Sequence, residues 1–173
     1  MADAATPTQV FLARLVVIVA ALLLGLGLYW YGGSAEVHRR IWSDMAARPG
    51  GPMTFRFVLQ PCMAALAAYR DGSRDARLGR SPYLWSVITG SDGTAGRLWE
   101  GLVATARILL LGLVMDGIYQ TTVLGTFYPG EMVLIAVLLA FLPYVLLRGP
   151  IARLVSWWNA RHGDSSPPTG SKR

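Results

Sequence analysis

The chain has 173 residues, 53% hydrophobic and only 15% charged, whereas a soluble domain carries about 25% charged residues. The missing charge reflects three continuous apolar runs, so the composition excludes an ordinary soluble domain and points to membrane residence. The net charge of +6 sits in segments flanking those runs, where positive-inside bias and anionic lipid headgroups account for it, which argues against nucleic acid as a partner.

Arg supplies fifteen of the sixteen basic residues, a usage that points to a GC-rich bacterial gene. A single cysteine, Cys62, permits no internal disulfide. His38 and His162 lie far apart without ligand spacing, so neither metal nor cofactor is expected.

In chain order, Leu15 to Tyr31 is a charge-free run closing in Tyr29, Trp30 and Tyr31, the aromatic signature of a spanning helix that ends at the headgroups. A cleaved signal peptide is the rival, with Gly33-Ser34-Ala35 as its small residues. The bulky aromatics just before that point argue for a retained anchor. Ser34 to Arg48 reads as an amphipathic interfacial helix, with Val37, Ile41, Trp42 and Met45 on one side. Pro49-Gly50-Gly51-Pro52 ends it. Met53 to Tyr69 has the minimum length of a span but carries Arg56, Gln60 and Pro61. Arg70, Arg74, Arg77 and Arg80 then mark a cytoplasmic loop, with Asp71 and Asp75 beside them.

Leu98 to Phe127 is the strongest long helix. Tyr128-Pro129-Gly130 is expected to form a tight turn, and Met132 to Leu147 to return across the membrane despite Pro143. Arg148, Arg153 and Arg161 mark its far end as cytoplasmic. From Gly149 a surface helix is expected, with Ile151, Leu154, Val155 and Trp158 as its apolar side. Residues 163–173 read as a disordered cytoplasmic tail behind a single embedded domain, residues 1–162.

The expected fold is therefore all-α, an integral membrane bundle of three or four transmembrane helices with interfacial amphipathic helices. Three spans place residues 32–107 inside, as Arg39, Arg40 and Arg48 favour; four spans place residues 32–52 outside, as the length of Met53–Tyr69 favours. We adopt four.

Asp116 is the sharpest candidate for chemistry. At about 1.5 Å per residue it lies about 12 Å beyond Ile108, near mid-bilayer. A charge at that depth costs about 2.5–3.5 kcal/mol on insertion scales and needs a partner or a function. Two readings compete: a proton or cation site with Gln120 one turn away, or a polar contact to Arg56 or Gln60 that joins two helices. The absence of a second deep carboxylate favours the contact. Glu131 reads as a favourable charge at a helix N-terminus. The segment bearing Arg70, Arg74, Arg77 and Arg80 is the candidate for lipid or partner contact. No GxSxG, HExxH or phosphate-loop motif occurs.

Phe55-Arg56-Phe57-Val58-Leu59-Gln60-Pro61, Arg70-Asp71-Gly72 and Phe127-Tyr128-Pro129-Gly130-Glu131 resemble stretches of uncharacterised small bacterial membrane proteins. The resemblance covers residues 53–153 and implies no activity. Taken together, these features suggest a non-enzymatic accessory, scaffold or assembly component of a bacterial inner membrane, multi-pass with its C-terminus cytoplasmic. It would pack in a homo-oligomer or a larger complex. The alternative is a small homo-oligomeric transporter or channel using Asp116; a weaker one is a lipid-headgroup enzyme.

Overall fold

Residues 5–32, 35–47, 50–51, 53–90 and 93–162 are described by the structure, a computed structural model. All regular elements among them are helical. The tail 163–173 and the Gly33-Ser34 pair lie outside the described residues, as do the side chains of His38 and Met45.

Helix α1 (Pro7–Tyr31) starts from a capping box in which Thr6 and Gln9 satisfy each other's backbone N–H groups, with Pro7 at the first helical position. It packs on the bundle through Ala13, Val16 and Gly27 and leaves Phe11, Ile18, Leu22 and Leu28 exposed. At Gly27 a β-carbon would stand 2.8 Å from the Gly130 nitrogen, so only glycine permits this close crossing. Helix α2 (Ala35–Ala47) is the amphipathic segment expected there.

Helix α3 (Arg56–Arg77) is longer than the sequence suggested. Arg70, Arg74 and Arg77 form its last two turns rather than a loop, and the chain leaves the helix only at Leu78 and Gly79. Every fourth residue faces inward from its start: Arg56, Gln60, Ala64, Ala68 and Gly72, followed by Asp75. Phe55, Val58, Leu59, Leu66 and Tyr69 face outward. This reverses the pattern of a water-soluble helix and suits one whose outer face meets hydrocarbon.

A short helix α4 (Tyr83–Thr89) leads to α5 (Thr94–Tyr119), which ends in one π turn, Gln120–Leu124. Gly125 takes a left-handed conformation at φ 62° and reverses the chain. Pro129-Gly130 does not form the turn itself but opens helix α6 (Pro129–Ala136), because proline at the first helical position gives up an N–H that has no partner there. A second π turn, Val137–Phe141, joins α6 to α7 (Leu142–His162) without a break. The expected restart at Gly149 is absent. Pro150 lies inside α7, where Arg148 and Ala152 are buried in the packing on either side of it.

Small residues set the helix register. Gly101 meets Tyr144, Gly112 meets Ala136 and Gly117 meets Met132, so α5 runs antiparallel to the α6–α7 rod. Asp71 pairs with Tyr144 and Asp75 with Arg148, so α3 runs parallel to that rod. Three helices, Pro7–Tyr31, Thr94–Leu124 and Pro129–Arg161, are long and apolar enough to cross a membrane. The largest fully buried side chains are Arg56, Arg148, Tyr83, Tyr144 and Gln60, while leucines, valines and tryptophans cover the outside. That inside-out distribution is the one expected of a membrane-embedded helical bundle.

Candidate functional site

Two buried polar clusters lie near opposite ends of the bundle. At the end carrying Phe127 and Tyr128, Arg56 Nη1 stands 2.8 Å from Asp116 Oδ1, and neither side chain reaches solvent. Gln120 Nε2 donates to Asp116 Oδ2 at 2.7 Å and to the Tyr128 carbonyl at 3.2 Å, while its Oε1 accepts the Tyr128 N–H at 2.6 Å. Gln120 therefore ties the deep carboxylate to the turn between α5 and α6. The Arg56 guanidinium also lies 4.8 Å from the Tyr119 ring centre. One turn along α3, Gln60 is buried against Gly112, and its amide finds no hydrogen-bond partner among the described residues.

The four candidates Arg56, Gln60, Asp116 and Gln120 are thus brought together. Gly117 meets Met132 and Gln120 holds Tyr128. Asp116 therefore lies about one helical turn inside Pro129 along the α6–α7 rod. Glu131 occupies the first turn of α6 and is buried. From α2, Arg40 lies 3.4 Å above the Tyr128 ring centre and forms the outer cover of this end.

Sequence reasoning missed the second cluster. Asp75 takes a two-pronged contact from Arg148, Nε at 2.8 Å and Nη2 at 3.1 Å, a geometry matched to the planar guanidinium. The same Nη2 reaches Glu100 Oε1 at 2.9 Å, and Nη1 donates to the Tyr144 hydroxyl at 2.7 Å. That hydroxyl donates in turn to Asp71 Oδ2 at 2.7 Å. Arg97 bonds Ser86 Oγ at 3.0 Å, Glu100 Oε2 at 3.2 Å and the Ser81 carbonyl at 3.2 Å. The Tyr83 hydroxyl donates to the Arg97 carbonyl at 2.7 Å, and burial pushes its pKa above the ordinary tyrosine value, with Arg148 pulling the other way.

No known protein-family model, curated protein or solved structure matches the chain.

The aspartates beside the arginines of α3 carry the signal that could have revealed this cluster. Asp75, three residues beyond Gly72, stays on the inward face that begins at Arg56, whereas Arg70 and Arg77 fall on the exposed side. Arg74 is half-buried. Among the four basic candidates, only Arg80 joins the cluster, 3.3 Å from Glu100 and 3.6 Å from Asp75. Arg80 and Arg97, with Gly96 and Glu100, line an open cleft of about 530 Å³. Among the described residues no three His, Cys, Asp or Glu side chains converge on a point, and Cys62 is exposed on the outer side of α3.

Chemically, the cluster around Arg148 joins α3, α4, α5 and α7 through hydrogen-bonded charges. The Asp116 cluster joins α3 to α5 and fixes the turn into α6. Both are held from several helices, as expected for groups that define one packing arrangement.

Proposed function

We propose that the protein is a non-enzymatic accessory or assembly component of a bacterial cytoplasmic membrane, crossing it four times with the Arg148 end and C-terminus in the cytoplasm. The observation that carries the reading is the Arg56–Asp116 ion pair with Gln120 on the second carboxylate oxygen. A carboxylate that must load and release a cation needs an exchangeable contact. Here both oxygens of Asp116 are engaged by side chains of the bundle, which favours a role in holding helices over ion coupling.

The outward apolar face of α3 supports counting it as a fourth span. Its mean hydropathy is lowered by the inward Arg56, Gln60 and Asp75 and by Arg70, Arg74 and Arg77 in its last two turns. Arg70, Arg74, Arg77, Arg80, Arg148 and Arg153 gather toward one end of the rod, which supports its cytoplasmic assignment.

The test is purification from native membranes in mild detergent, with mass spectrometry of stoichiometric partners and a flux assay on the same material in proteoliposomes. The accessory reading expects a reproducible larger complex and no proton or cation flux. A pure self-assembly whose flux disappears with Asp116→Asn would establish the transporter alternative.

A further inference from the structure

The cleft at the Arg148 end differs from the other polar regions because its positive charge is incompletely answered. Three guanidiniums, Arg80, Arg97 and Arg148, share two carboxylates, Asp75 and Glu100. The remaining nearby acid, Asp71, accepts the Tyr144 hydroxyl and keeps its charge, so the excess of positive charge at this end comes from Arg70 and Arg77. Arg148 is buried with contacts of 2.8 and 2.9 Å, and Arg97 is buried against Ser86 and Ser81. Arg80 is held least, at 3.3 and 3.6 Å, and its side chain is 43% exposed. A positive group therefore faces an open cleft of about 530 Å³, with Gly96 on its wall leaving open space where a side chain would stand.

The surroundings indicate the kind of anion. Arg70 and Arg77, exposed on the final turns of α3, make no ion pair among the described residues and add positive potential at this end. Trp85 and Ile88 on α4 and Leu98 and Trp99 on α5 are exposed, and Arg97 is bonded to Ser86, the residue after Trp85. A cleft lined by Arg80, Arg97, Gly96 and Glu100, beside helices that also expose tryptophan and aliphatic side chains, matches the headgroup layer, where a phosphate and the upper part of an acyl chain meet.

We propose that this cleft binds the phosphate of an anionic membrane lipid, with Arg80 as the principal contact and Gly96 providing the room. The site is separate from the Asp116 cluster and does not depend on the accessory reading. Phosphate chemistry could also be supplied by a soluble phosphate ester, and the experiment separates the two.

Full-length protein in mild detergent is loaded with phosphatidic acid or phosphatidylcholine, and retained lipid is counted by native mass spectrometry. The wild type retains phosphatidic acid in preference to phosphatidylcholine. Arg80→Gln lowers that retention about fivefold, the effect of one basic contact near a headgroup. Gly96→Leu, which fills the cleft and leaves every charge in place, lowers it at least as much. Arg14→Gln, a change of equal charge at an exposed position on α1, leaves it unchanged. Equal retention by wild type and Gly96→Leu would overturn the proposal, as would an equal loss in Arg14→Gln or no preference over phosphatidylcholine. Displacement of the lipid by millimolar glycerol phosphate would overturn the lipid assignment in favour of a soluble phosphate ester.

Discussion

Arg56 and Asp116 face each other at 2.8 Å in the bundle interior, one from the first turn of α3 and the other from the last turns of α5. Each is the counter-charge that makes the other's burial tolerable. Asp116→Asn leaves the Arg56 charge buried without its carboxylate, which costs about 3–5 kcal/mol when one partner of a buried pair is removed. Replacing both, with Asp116→Leu and Arg56→Met together, should recover much of that loss. Thermal unfolding in detergent measures both. A double variant no more stable than Asp116→Asn would show that the ion pair is not what the two residues contribute.

Arg148 is the centre of the second cluster, and its neighbour Arg80 provides the contrast. Arg148→Met leaves buried Asp75 with only the 3.6 Å contacts of Arg80 and Arg97 and is expected to lower stability by about 3 kcal/mol, the low end for a broken buried pair. Arg80, solvated on one side, should contribute roughly 0–1 kcal/mol by the same measurement. Similar losses for the two variants would contradict the assignment of Arg148 as the clamp between α3 and α7.

The crossing of α1 over α6 depends on Gly27 lying against Gly130. Gly27→Leu forces the helices apart and should cost about 1–3 kcal/mol through overpacking. Gly25→Leu, where a β-carbon meets nothing within 4 Å, should leave the unfolding temperature unchanged.

Cys62 reports directly on α3. It is exposed on the outward side, between Leu59 and Leu66. If α3 crosses the membrane, Cys62 in sealed vesicles resists a membrane-impermeant maleimide applied to either side and reacts after detergent solubilisation in denaturant. Rapid labelling in intact vesicles from one side would reduce the count to three spans.

Tyr83 predicts an alkaline limit to stability. Its pKa is raised by burial above the ordinary 10.0. Below that value both folded and unfolded chains keep the proton, and stability is unaffected. As pH rises beyond it, the unfolded chain ionises first and is favoured, so stability falls. Tyr83→Phe should flatten part of that fall when unfolding is followed across pH 9–11, the window around about 10 where tyrosine titrates.

Membrane residence and the helix hairpin around Phe127 and Tyr128 are legible from the sequence alone, because long apolar runs and their flanking arginines act through solvent transfer and need no knowledge of neighbours. Asp116 is legible as a residue in need of a partner for the same reason. The identity of that partner, the extension of α3 through Arg77, and the continuity of the last helix through Gly149-Pro150 were decided by tertiary packing. Arg70, Asp71, Arg74 and Asp75 are all charged, and their local pattern does not say which of them turn inward. What separates them is that Asp71 and Asp75 meet Tyr144 and Arg148 on a helix 73 residues away in sequence, whereas Arg70 lies exposed. Pairing at that separation depends on the relative placement of whole helices, which local pattern does not encode.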